Sequence, residues 1–250
     1  MLAPTGTCSN LCINGMGEPK GVKMDTKKIR AVFFDLDGTL IDTESYYNRV
    51  WPKAFAHYGY EVSAKECLDV RSLGNPYILK WMQERCGENV ECEEIRKYAR
   101  KLVNELIEKE GLHLKKGVLE CLSYLKSKNV FIYIVTATAI ERTEMCIKEV
   151  GISEYFDKVI SATMVERGKP SPDVYLLAEK EAGVDPKECI AVEDSPNGAM
   201  AAISAGMNTI MVPDLSEPDD ELKSRLFAKL KSLDELESFI SKNNIELIAK

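Results

Sequence analysis

In the stretch AVFFDLDGTLIDTE, residues 31–44, an apolar run stops at Asp35 and a second carboxylate follows at Asp37. Side chains two positions apart on an extended backbone point the same way, so the two acids repel each other unless a cation or a proton intervenes. Gly38 then supplies the freedom a tight turn needs, and Thr39 offers a hydroxyl to hold it. Two solvated acids at a strand end would look the same, so this pair alone leaves catalysis and solvation both open.

Other side chains of the right chemistry stand at the ends of other apolar runs. Thr136, Ala137 and Thr138 follow VFIYIV, Lys169 lies in ERGKPSPD, and Glu193 and Asp194 close CIAVED. If these ends share one edge, four carboxylates, a lysine and a hydroxyl converge there. So much negative charge with only oxygen donors calls for a hard cation, and favours Mg²⁺ over zinc. Together with Lys169 such a site would attract an anion. A phosphoryl group fits, because its transfer rests on positioning and charge stabilisation.

The elements that must position these groups are legible as periodicities. AVFF at 31, VFIYIV at 130, KVISA at 158, CIAV at 189 and TIMV at 209 are too short for helices and rich in β-branched or aromatic residues. Helical patterns separate them, as in SPDVYLLAEKEAG, with Ser171 expected as N-cap, Pro172 in the first turn and Gly183 past the end. The alternation predicts an α/β fold, a Rossmann-like parallel sheet covered on both faces, with ligands outside the carboxyl ends of the strands.

Residues 43–113 break the pattern, with helices and no strand. SYYNRVWPKAFAHYG has helical spacing, with a kink expected at Pro52; NPYILKWMQERC opens on an Asn75 cap and Pro76; EEIRKYARKLVNELIEKEG carries Ile95, Tyr98, Leu102 and Leu106 on one stripe. The expected organisation is a loose tail over 1–28, a catalytic core over 29–42 and 114–250, and an inserted all-helical cap over 43–113. Met24 offers an alternative start.

Composition narrows the function. The 250 residues are 45% hydrophobic and 29% charged, with a net charge of −7, which suits a globular protein and argues against nucleic-acid partners. No apolar run approaches the roughly 18 residues of a membrane span. The eight cysteines form no Cys-x-x-Cys pair, and His57 and His113 stand apart, so the pattern favours reduced thiols in a cytoplasmic protein over zinc or a disulfide framework.

FFDLDGTLIDTE, IVTAT, GKPSPDVYLLA and CIAVEDSPNGAMAAISAGM resemble, in order, the four motifs of the haloacid dehalogenase superfamily, in its β-phosphoglucomutase and sugar-phosphate phosphatase branch. The resemblance implies Asp35 as nucleophile, Asp37 as general acid and base, Thr136 and Ala137 on the phosphoryl group, and Lys169 neutralising it. It implies Mg²⁺ held by Asp35, the Asp37 main-chain carbonyl, Asp194 and Glu193. Dehalogenases of the superfamily lack the second aspartate, so Asp37 favours phosphate esters. The helical insertion resembles the family's first cap class, which suits a small phosphorylated metabolite and a monomer or weak homodimer. In the cap, Arg49, Arg71 and Lys80 are candidates for a distal anion, with Arg71 foremost. Tyr46, Tyr47, Trp51 and Tyr58 read as cap core. Tyr47 stands where the mutases carry a histidine, which favours a phosphatase. A phosphosugar mutase is the alternative, and a noncatalytic phosphate-binding protein is a third reading.

Overall fold

All five apolar runs are strands in the computed structural model, which describes residues 26–250. The chain runs β1 (Lys27–Ile29), β2 (Ala31–Phe34), α1 (Glu44–His57), α2 (Tyr77–Cys86), α3 (Cys92–Glu110), α4 (Val118–Ser127), β3 (Phe131–Thr136) and α5 (Ile140–Glu149). It continues with β4 (Lys158–Ser161), α6 (Asp173–Ala182), β5 (Cys189–Glu193), α7 (Pro196–Ser204), β6 (Asn208–Met211), α8 (Asp220–Arg225), β7 (Ala228–Lys229), α9 (Leu236–Lys242) and β8 (Ile245–Leu247). The tail expected over 1–28, with Met24, Cys8 and Cys12, lies outside the described residues up to position 25. Its last residues are not loose, since Lys27 and Lys28 belong to β1, which pairs in parallel with β8 and leads into fully buried Ile29.

Six strands form one parallel sheet in the order β4-β3-β2-β5-β6-β7. Central β2 is buried on both faces, and its alternation divides two cores. Val32 and Phe34 pack with residues of α4, α5 and α9, whereas Ala31 and Phe33 pack with residues of α6 and α7. The chain leaves β2 toward β3 on one side and later places β5 on the other. This makes β2 the switch point where an open parallel sheet leaves a crevice. Register pairs Phe34 with Ile134 and with Val192, so Asp35, Thr136 and Glu193 emerge at one edge.

Between β2 and α4 the chain forms helices alone, α1 to α3, around an apolar cluster of their own that includes Val50, Phe55, Met82 and Ile95. Helix α1 runs through Pro52 unbroken, its Val50, Ala54 and Phe55 buried, so the expected kink does not interrupt it. The α3 stripe is centred on Ile95, Ala99 and Val103, with Tyr98, Leu102 and Leu106 flanking it half-buried. Two expected caps are absent. Pro76 occupies the N-cap of α2 while the Asn75 side chain accepts from Arg96, and Pro172 occupies that of α6 while Ser171 donates to Asp173.

The helical unit touches the sheet's loops backbone to backbone. The Gly74 N–H donates to the Lys169 carbonyl at 2.9 Å, and the Gly168 N–H donates to the Asn75 carbonyl at 2.8 Å. A Cβ on Gly74 would stand 2.5 Å from the Gly168 Cα, so only glycine permits the approach. Gly74→Ala is expected to part the two loops and forfeit two hydrogen bonds of about 1 kcal/mol each. Limited proteolysis should then cut faster near residues 42–44 and 111–117, and an unchanged cleavage rate would contradict this docking.

Candidate active site

Backbone pairing carries the first acid into place: the Asp35 N–H donates to the Val192 carbonyl at 3.0 Å, continuing the ladder one residue beyond β2. Asp35 is 2% exposed, and Lys169, Glu193 and Asp194 are fully buried. Lys169 Nζ spends its three donors on Asp35 Oδ1 at 2.5 Å, Glu193 Oε1 at 2.7 Å and the Val135 carbonyl at 2.8 Å. Tyr175 donates to the same Glu193 oxygen at 2.5 Å. Burial pulls on the Lys169 ammonium to lose its proton, but Asp35 and Glu193 overcome that and hold its pKa above the ordinary value. Burial likewise raises Asp35 well above the usual carboxylate range, with Lys169 opposing.

Asp37 is held differently. Thr43 donates to its Oδ1 at 2.5 Å and Thr138 to its Oδ2 at 2.6 Å, so hydroxyls from either side of the crevice fix the carboxylate beside Asp35. Gly38 turns the chain at φ +88, and any Cβ there would collide with Asp194 and press on Glu44. Thr136 is fully buried and accepts from the Thr138 N–H at 3.0 Å, whereas Ala137 and Thr138 line the cavity.

Asp35, Glu193 and Asp194 each place one carboxylate oxygen within 4.8 Å of the others. Asp35 Oδ2, Glu193 Oε2 and Asp194 Oδ1 are buried without a hydrogen-bond partner. Buried oxygens in that condition fit a hard divalent cation, which these three side chains would ligate. The Asp37 carboxylate is outside this group, so only its main-chain carbonyl remains as a donor from that residue.

Arg71 crosses from the helical unit to this edge, but not as a free anion receptor. Its guanidinium donates to Glu44 at 3.0 Å, to Asp194, and to Asp214 at 3.4 Å. Burial disfavours its charge, yet Asp194, Glu44 and Asp214 together keep its pKa above the ordinary value. Burial pushes Glu44 up to about 7, against the pull of Arg71. The other two cap candidates do not line the cavity: Arg49 forks onto Glu110 and Lys80 pairs with Glu84, all toward solvent.

A cavity of about 340 Å³ opens from Asp35 and Asp37, walled by Tyr47, Trp51, Leu73 and Ile78 and by Arg96, Arg100 and Arg142. Tyr47 and Trp51 thus do more than fill a core. Burial drives the Tyr47 phenol up to about 12, so it keeps its proton. Sequence reading missed Thr43, Tyr175, Glu44 and the three arginines. Glu44 stood in the quoted DTE stretch, and the arginines stood on readable helices, but nothing local told which helical face would meet the crevice.

The family model described as haloacid dehalogenase-like hydrolase matches residues 29–206. Hexitol phosphatase B of Escherichia coli is 30% identical over 212 residues, covering 84% of this chain and 95% of that protein. A phosphorylated carbohydrates phosphatase of Thermotoga maritima is 32% identical over 190 residues, covering 73% and 84%. Among solved structures, CbbY from Rhodobacter sphaeroides in complex with phosphate superposes with a TM-score of 0.70 at 28% identity, covering 83% of this chain and 96% of that one.

The buried lysine can be tested through stability. Removing one partner of a buried charge group costs about 3–5 kcal/mol because the remaining charges are stranded. Lys169→Met is expected to lose that much in urea unfolding, and Lys169→Met with Glu193→Gln should recover part of it. A loss below about 1 kcal/mol for the single variant would contradict the charge balance described.

Proposed function

The chain belongs to the haloacid dehalogenase-like hydrolases, and from that membership we propose a Mg²⁺-dependent phosphomonoesterase acting on a small phosphorylated metabolite, a sugar or polyol phosphate. The observation that carries the reading is the state of Asp35. One of its oxygens is fixed by Lys169, the other is buried without a hydrogen-bond partner, and the residue lines the cavity. The curated relatives named for hexitol and carbohydrate phosphatases support the same substrate class.

Asp35 acts as nucleophile: its carboxylate oxygen bonds to phosphorus as the ester P–O bond breaks, and Asp37 gives a proton to the departing alkoxide. Asp37 then takes a proton from water, whose oxygen attacks phosphorus and releases Asp35 and inorganic phosphate. Thr43 and Thr138 position Asp37 for both transfers. Lys169 favours the ionised form of Asp35 against the pull of burial and fixes its orientation, and the loop through Ala137 and Thr138, which lines the cavity, faces the transferring group. A divalent cation on Asp35, Asp194, Glu193 and the Asp37 carbonyl would supply positive charge to the phosphoryl oxygens.

The helical unit over 43–113 serves as a lid over the core formed by 29–42 and 114–250. It excludes bulk water and reads the leaving group. Tyr47, with its proton firmly held, gives no base for passing a sugar hydroxyl through a mutase cycle, which favours hydrolysis. No helix among the described residues is long and apolar enough to cross a membrane. Among the described residues Cys67, Cys86, Cys92, Cys121, Cys146 and Cys189 are free thiols, which supports the reading of a cytoplasmic protein.

A phosphate-release screen over sugar and polyol phosphates is expected to show turnover with Mg²⁺, loss with EDTA and recovery on adding Mg²⁺ back. Asp35→Asn should abolish it with the fold intact by circular dichroism. Incubation with β-glucose 1-phosphate and its bisphosphate should yield free phosphate faster than glucose 6-phosphate, and the reverse order would establish the mutase. Asp37→Asn should impair sugar phosphates at least 10-fold more than p-nitrophenyl phosphate, whose leaving group needs little protonation. Equal losses on both would contradict an acid role for Asp37.

A further inference from the structure

Arg71 belongs to the helical unit by sequence and to the core by contact. It follows the short turn Glu66–Val70, between α1 and α2, and is 5% exposed. Asn197, in the first turn of α7, donates through its side chain to the Arg71 carbonyl at 2.9 Å and to the Asp69 carbonyl at 3.1 Å, which pins this loop to the core. From there the guanidinium donates to Asp194, to Glu44 at 3.0 Å, to Ser216 at 3.2 Å and to Asp214 at 3.4 Å.

The contact with Asp194 differs from the others in what that carboxylate is placed to do. Lys169 answers Asp35 and Glu193, whereas fully buried Asp194 pairs with Arg71. Of the three acids that would hold a divalent cation, the third thus takes its positive partner from the helical unit and not from the sheet. Asp194 gives one oxygen to the arginine, and its other oxygen is buried without a partner. A divalent cation on that second oxygen would stand one carboxylate's width from a guanidinium, in an interior that screens charge far less than water does. The two positive groups repel each other, and the arginine has an alternative, because Glu44 and Asp214 already share its charge.

Resting on the phosphatase reading and its Mg²⁺ site, we propose that Arg71 is an autoinhibitory latch, which fastens the helical unit to the core by standing on Asp194 and which Mg²⁺ binding opposes. Linkage makes the opposition reciprocal: the factor by which Arg71 weakens Mg²⁺ is the factor by which Mg²⁺ loosens the latch. Loading the centre therefore eases the helical unit away from the crevice, so that a phosphorylated metabolite enters a site that already carries its cation. The contact of Gly74 with Lys169 joins neutral backbone groups, on which the ion has no comparable leverage, so the charge-sensitive part of the docking rests on Arg71.

The test is calorimetric titration of Mg²⁺ into the full chain without substrate. Arg71→Gln is expected to bind Mg²⁺ about 10-fold or more tightly than the wild type, and Arg71→Lys, which keeps the charge, should fall between them. Limited proteolysis of the wild type near residues 42–44 and 111–117 should run faster in saturating Mg²⁺ than in EDTA, and the difference should vanish in Arg71→Gln. Should Arg71→Gln fail to fold by circular dichroism, Asn197→Ala takes its place, since it releases the loop without changing any charge and should also tighten Mg²⁺. Equal Mg²⁺ affinity in the wild type and the variant used, or wild-type cleavage indifferent to Mg²⁺, would overturn the latch while leaving the metal site standing. Mg²⁺ binding to none of these proteins would remove the metal site of the phosphatase reading, and the latch with it.

Discussion

Three hydrogen bonds from one ammonium group hold together the sheet edge where the acids converge. Lys169 Nζ ties the end of β2 through Asp35, the end of β3 through the Val135 carbonyl and the end of β5 through Glu193. Adjacent parallel strands ending in acids would otherwise bury like charges side by side, which the interior does not tolerate. The lysine converts that conflict into a fixed arrangement, in which Asp35 has one oxygen restrained and one left over. The same loop also carries the contact between the two parts of the chain, because Gly168 and the Lys169 carbonyl meet Gly74 and Asn75. Charge balance at Asp35 and docking of the helical unit therefore share a few residues of backbone.

A second cation completes the balance from the other side. Arg71 reaches across to Glu44, Asp194 and Asp214, and Lys115 adds Asp214 at 2.7 Å. The helical unit is thus joined to the sheet by charge as well as by backbone, at the point where the chain enters and leaves it. Its interior cluster around Phe55 and Ile95 is its own, as the proposed lid requires.

Strands β2 to β6 were legible because each is a short, largely buried apolar run, whereas β1, β7 and β8, of two or three residues, carry too little pattern to be read; Asp35, Lys169, Glu193 and Asp194 were legible because each stands at or near such a run's carboxyl end. The roles of Arg71, Arg49 and Lys80 were not. Whether an arginine in a loop meets substrate or an acid 123 positions away, as Arg71 meets Asp194, depends on tertiary packing that no local pattern encodes. Thr43 and Tyr175 escaped for the same reason, since each matters only through a carboxylate elsewhere in the chain. Cap residues failed at a finer scale. Ser171 and Asn75 have the right type and position for N-caps, but the prolines that follow them occupy those positions, and their side chains found Asp173 and Arg96 instead.

The central claim is that the carboxylate of Asp35 becomes bonded to phosphorus during turnover. Acid quenching of the enzyme mixed with a hydrolysed sugar phosphate and Mg²⁺, followed by peptide mapping by mass spectrometry, reads this directly. A phosphoryl group is expected on the peptide containing Asp35, formed within the first turnover and absent in Asp35→Asn. Rapid phosphate release with no acyl phosphate on that peptide at any quench time, and the label found on another residue or on none, would contradict it.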